Sequence, residues 1–188
     1  ITDAAQQGTV LRGTFPGAAR PGYVYLPPGF DTSRRYPVVY LLHGMPGSPS
    51  EYLGGAGLTA FADSAIPSGR VRPFIAVMPA AGTQPPYNGE WGGIWEHHLV
   101  ERVVPWIDAH LPTVASARGR VIAGLSAGGY GAVDIALRHP GEFGTVESWS
   151  GYFRPLRDGP FKDAPQSVLE ANDPLKLVPL EASVLRAD

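Results

Sequence analysis

Gly124-Leu125-Ser126-Ala127-Gly128 sets a serine between two glycines, after the apolar run Val121-Ile122-Ala123 and before a helix-like stretch over 129–139. Strand, sharp turn and helix with a serine at the apex is the context of a G-x-S-x-G nucleophile elbow, which holds the hydroxyl up in a strained backbone conformation. Such a serine attacks a carbonyl carbon when a base takes its proton and donors receive the oxyanion. A glycine-rich turn of this kind can also cradle phosphate. The dinucleotide pattern requires glycine where Ser126 stands, and the P-loop requires Lys then Ser or Thr where Tyr130 follows Gly129, so both fail on a required residue. The plainer alternative is a tight turn whose serine caps the helix.

An oxyanion site needs two N–H groups. In an elbow the first belongs to the residue after the serine, here Ala127, and the second comes from a loop after an earlier strand. His43-Gly44-Met45-Pro46-Gly47 directly follows the apolar Tyr40-Leu41-Leu42. Its glycines let the backbone approach closely. Pro46 has no N–H, so Met45 is the expected second donor; the alternative is an ordinary strand-to-loop turn with Met45 filling the core.

The elements that must carry these loops alternate. Strands are expected over 10–15, 22–26, 36–42, 74–78, 120–125 and 145–149, and helices over 57–68, 95–111 and 130–139, with Pro105 kinking or restarting the second. The stretch 150–165 reads as irregular, 167–172 as a short helix, Asn172-Asp173-Pro174 as a turn and 181–186 as a helical turn. Alternating strands and helices predict one domain over 1–188, built on a mainly parallel sheet sandwiched by helices. Its active site falls at the carboxyl ends of the strands, where Ser126 and the turn after Leu42 both lie.

Composition narrows the function. A net charge of −2 without a basic cluster gives nucleic acid or an anionic membrane no electrostatic grip. With no cysteine, disulfides, thiol nucleophiles and thiolate metal sites are excluded. No apolar run is long enough to span a bilayer.

Leu41-Leu42-His43-Gly44, then Trp95-Glu96 opening a helix that ends Val104-Pro105-Trp106-Ile107, then Gly124-Leu125-Ser126-Ala127-Gly128-Gly129-Tyr130-Gly131-Ala132, resemble the putative-esterase family of α/β-hydrolases. That family includes esterase D, feruloyl and acetyl xylan esterases, and mycolyltransferases. The resemblance runs from about Val10 to about Ser183, and the elbow is its specific part. It implies an α/β-hydrolase fold, a Ser-His-acid triad, no cofactor and no metal. It also implies a small-molecule, glycan or lipid acyl ester as substrate, with Met45 and Ala127 as the oxyanion amides.

Triad order in this fold is serine, acid, histidine. After Ser126 the chain has one histidine, His139, at the far end of the helix leaving the elbow, about 20 Å away at the standard helical rise. The expected triad histidine and acid are therefore not in this chain. It reads as a domain incomplete at its C-terminal side, with a complementing C-terminal fragment or subunit as an expected partner. Without that part the sheet would show an apolar edge. Asp158 is the nearest stand-in for the acid; surface solvation is the plain reading of Asp158, Asp163 and Asp173. His43 is expected to orient the oxyanion loop, His97 and His98 to lie on a solvated helix face, and His110 to favour a helix end. Trp91, Trp95 and Tyr152, with Tyr87, are aromatics on the active-site side that could line an acyl pocket or pack in the core.

Three readings stay open. The first is a serine carboxylesterase. The second is an acyltransferase on the same scaffold, with a hydroxyl acceptor in place of water. The third is an inactive binding module that keeps the elbow without the base. The resemblance places the protein outside the cell or in its envelope, with the cytoplasm as the alternative.

Overall fold

The computed structural model describes residues 7–82 and 89–181. Tyr87 and the turn expected over 182–186 lie outside them. Six strands form one sheet: β1 (Thr9–Gly13), β2 (Gly22–Leu26), β3 (Val38–Leu42), β4 (Ile75–Met78), β5 (Arg120–Leu125) and β6 (Thr145–Trp149). Their spatial order is β1-β2-β4-β3-β5-β6. β1 and β2 run antiparallel to their neighbours, while β4, β3, β5 and β6 are parallel.

The central strands read as continuous apolar runs because helices cover both of their faces. Val38, Tyr40, Leu42 and Ile122 point to one side and join Leu99, Val103, Ile107 and Ile135 in the larger core. Leu41 and Ala123, one residue out of phase, point to the other and meet Tyr52, Ala62 and Ile66. That two-residue alternation is the strand period.

The helices are α1 (Leu58–Ala65), α2 (Ile94–His98), α3 (Val104–His110), α4 (Ala127–Arg138), α5 (Gln166–Glu170) and α6 (Pro174–Glu181). α2 passes into α3 through a π-type turn, Leu99–Val103, and Pro105 sits in the first turn of α3. The backbone stays helical throughout, and the π-type turn just ahead of Pro105 accommodates its missing N–H. α4 begins three residues earlier than its glycines suggest. α6 was not expected at all: Asn172-Asp173-Pro174 is a helix start, in which Asp173 Oδ1 accepts the Leu175 N–H at 3.0 Å. Among the described residues no helix is long and apolar enough to cross a membrane.

β6 is the last strand of the sheet on its side, and Val146 and Trp149 on it are about two-fifths exposed. On the α1 face a groove of about 230 Å³ runs between Val39, Leu41, Leu58, Phe61, Phe74 and Trp149.

Candidate active site

Ser126 stands between β5 and α4 with φ 55° and ψ −114°. Only one other described non-glycine residue, Ser150, has positive φ. A left-handed backbone on a residue with a Cβ costs free energy and persists where the surroundings impose it. Here they do. The Ser126 N–H donates to Trp149 O at 2.8 Å, fixing the turn to β6, and the Tyr130 N–H donates to Ser126 O at 3.0 Å, starting α4. The flanking glycines are steric requirements: a Cβ on Gly128 would overlap the Leu42 carbonyl, and one on Gly124 would overlap Gly128. The two glycines of the motif thus let β5, α4 and β3 meet backbone to backbone, with the serine at the junction.

The loop after β3 closes on this junction. A Cβ on Gly44 would lie 3.4 Å from Leu125 O and 3.6 Å from the Ser126 Cβ. Four polar backbone groups at the turn are held by side chains. Tyr52 Oη donates to Leu42 O at 2.6 Å, Trp91 Nε1 donates to His43 O at 2.9 Å, and the Gly44 N–H donates to Glu51 Oε1 at 2.9 Å. His43 Nε2 accepts the Ala81 N–H at 3.0 Å, so Nδ1 carries the proton and donates to Gly44 O at 2.8 Å. Burial also lowers the pKa of His43, which keeps it neutral. With Gly44 N–H engaged by Glu51, Met45 is the next amide along the loop, and it is half-buried.

A second set of contacts braces the opposite side. Glu90 is fully buried, and both of its carboxylate oxygens accept the Tyr152 hydroxyl, at 2.6 and 2.7 Å. Desolvation raises its pKa to about 7, against the hydrogen bonds from Tyr152 and the Leu156 backbone. The Tyr152 ring stacks on Tyr130, one turn into α4, at 5.3 Å. Trp91 is 1% exposed, so its ring faces no open pocket. Its role is inside, holding the His43 carbonyl and packing against Gly131, whose missing Cβ leaves room for it. Of the two roles its sequence position leaves open, these contacts favour packing in the core. Trp95 packs half-buried against the main core. Asp158 caps the short helix Gly159–Phe161 through the Gly159 N–H at 2.6 Å.

The other histidines lie away from the elbow. His97 pairs with Glu101 at 3.0 Å, His110 Nδ1 bonds Trp106 O at 2.8 Å, and His98 is partly buried on α2. His139, just past α4, meets Glu96 at 2.8 Å, and the same Glu96 oxygen binds Arg138 at 2.8 Å. Glu96 is therefore a tie between α2 and the end of α4. On α4, Asp134 is fully buried, and neither carboxylate oxygen has a hydrogen-bond partner in the structure. Burial raises its pKa to about 8, with Glu96 and Asp173 adding to the shift against Arg138. Among the described residues no three His, Asp or Glu side chains are placed to hold a metal ion.

A family model described as "Putative esterase" matches residues 14–185. The chain belongs to this esterase family. An esterase of Mycobacterium tuberculosis H37Rv, Rv1288, is 35% identical over 138 residues, covering 68% of this chain and 28% of that protein. A Xylanibacter ruminicola endo-1,4-beta-xylanase/feruloyl esterase is 35% identical over 139 residues, 68% of this chain and 19% of its own length. The chain thus spans less than a third of these relatives. Among solved structures, a ferulic acid esterase superposes with a TM-score of 0.72 at 24% identity, covering 92% of this chain and 71% of the other. The S-formylglutathione hydrolase of Staphylococcus aureus gives 0.67 at 19%, covering 94% and 74%. The fold of this esterase-family chain is therefore that of the α/β-hydrolases, a six-stranded, mostly parallel sheet flanked by helices.

Proposed function

We propose that this chain carries the nucleophile and the oxyanion site of a serine carboxylesterase. The observation that supports it best is the Ser126 backbone, held at φ 55° where β5 meets α4, beside Gly44 of a loop braced by Tyr52, Trp91 and Glu51. Ser126 Oγ attacks the ester carbonyl carbon and passes its proton to a base. The amides of Met45 and Ala127 donate to the oxyanion. The carbonyl re-forms, the alcohol leaves with the proton, and water then cleaves the acyl-serine by the same route.

None of the five histidines is placed to be that base: His43 has both ring nitrogens engaged, and the others sit on or past α2, α3 and α4. The base and its acid partner are accordingly assigned to polypeptide outside the described residues, either a further segment or a second subunit. The open β6 edge and the apolar groove beside Trp149 are the surfaces where such a piece would add to the sheet.

For substrate, the feruloyl esterase among the relatives and the ferulic acid esterase among the structural neighbours favour an aryl acyl ester borne on a glycan. An ester on a polysaccharide is met outside the cell, which is where we place the protein. Hydrolysis of p-nitrophenyl acetate tests the proposal, with this chain and its Ser126→Ala variant each supplied with the polypeptide that carries the base. Turnover lost in the variant assigns the nucleophile. Turnover that survives in the variant removes Ser126 from the mechanism.

A further inference from the structure

The stretch Gly89-Glu90-Trp91-Gly92-Gly93 touches both sides of the elbow. Trp91 holds the carbonyl one residue ahead of Gly44. Glu90, its neighbour, reaches the other way, to a loop over 150–158 that leaves β6 beside Ser126. That loop starts in contact with the elbow: Ser150 has φ 53°, and Gly151 lies against the Gly129 and Tyr130 backbone so closely that a Cβ would not fit. Two of its members then bind the Glu90 carboxylate, Tyr152 through its hydroxyl and Leu156 through its backbone. Between and beside these anchors Phe153 and Leu156 are exposed by 44% and 46%, an apolar pair facing solvent. Beyond them Gly159 has φ 52° and lies against Gly89, and Phe161 fills the space over Gly92. The loop is thus tied at its middle to one buried carboxylate and at its end to glycines of the same stretch.

We propose that Glu90 is a positioning residue that holds the 150–158 loop closed against the elbow, coupling it to the stretch that also braces the oxyanion loop. Its use in catalysis rests on the reading of Ser126 as nucleophile; the clamp itself does not. The titratable groups facing Glu90 are Tyr152 and Asp158 on the loop and Tyr130 on α4. Closure keeps the carboxyl dry, which favours its protonated form, and opening hydrates it. Ionisation therefore favours the open loop, and the clamp loosens as pH rises toward and past neutrality.

The test is limited proteolysis within the loop, chymotrypsin after Phe153 and trypsin after Arg157, in wild type, Glu90→Gln and Tyr152→Phe. Each rate is divided by that of a free peptide of residues 150–163 at the same pH. Tyr152→Phe should raise cleavage about tenfold, the weight of one ordinary hydrogen bond, whereas Glu90→Gln, a permanently neutral acceptor for the Tyr152 hydroxyl, should match wild type at pH 6. The corrected wild-type rate should climb between pH 6 and pH 8, and the Glu90→Gln rate should stay level. A Tyr152→Phe rate equal to wild type at pH 6 overturns the proposal. So does an equal rise after Arg70, outside the loop, which would mean general loosening, or a pH response that persists in Glu90→Gln. None of these readouts needs turnover, so they stand apart from the fate of Ser126 as nucleophile.

Discussion

The indole N–H of Trp91 donates to the carbonyl oxygen of His43 at 2.9 Å, joining residues 48 apart in sequence. Both residues are buried, and the bond fixes the backbone just ahead of Gly44. Trp91→Phe keeps a ring in place but leaves that carbonyl unpaired and a small void beside it. Urea unfolding should show a loss of about 2–4 kcal/mol, with the variant still folded at neutral pH. An unchanged midpoint would mean that the bond has no net weight.

The strain at Ser126 can be weighed directly. Glycine accepts φ 55° without a Cβ penalty, and alanine does not. Ser126→Gly should therefore be more stable than Ser126→Ala by about 1–2 kcal/mol, despite glycine's greater freedom in the unfolded chain. The reverse order, measured by chemical denaturation of the two variants, would show that the elbow is not strained.

Gly128 and Gly13 make a contrasting pair. Gly128→Ala drives a methyl into the Leu42 carbonyl, whereas a methyl on Gly13 meets nothing within 4 Å. The first variant should yield no cooperatively folded protein. The second should unfold within about 1 kcal/mol of wild type. Circular dichroism melts of the two decide the matter.

Asp134 sets a pH dependence. Its folded pKa, about 8, lies above the unfolded value of 3.8, so the native state holds the proton more tightly. The stability this contributes is full below about pH 4 and is lost as pH rises through 8. Glu90, at about 7, acts in the same direction over a shorter span. Between pH 5 and pH 7, Asp134→Asn should flatten the fall in stability by about 1.4 kcal/mol per pH unit, the weight of one proton. Urea midpoints at four pH values measure it, and equal slopes in the two proteins would rule Asp134 out.

Much of the frame is legible in the sequence because punctuation and period agree there. β2, β5 and β6 have the bounds that their apolar runs and flanking glycines and prolines predict. The start of α4 is not legible because Gly128, Gly129 and Gly131 are poor helix formers taken alone; close packing against β3, Gly151 and Trp91 overrides their propensity. α6 was hidden for the opposite reason. An Asp-Pro pair signals a turn and a helix start alike, and only the Asp173–Leu175 bond separates them. At the site, the serine and its loop stand out as local motifs. The braces do not: Tyr52 to Leu42, Trp91 to His43 and Tyr152 to Glu90 join residues 10, 48 and 62 positions apart, and no spacing rule reaches across a fold.

The outer side of β6 carries a kinetic consequence. Its unclaimed rungs accept any extended backbone, and Val146 and Trp149 reward an apolar one. A covalently tethered strand would arrive at a rate independent of protein concentration, while a second molecule would arrive in proportion to it. Dilution therefore tells the two apart: pairing that weakens on dilution comes from a second molecule, and pairing that does not comes from a tethered strand.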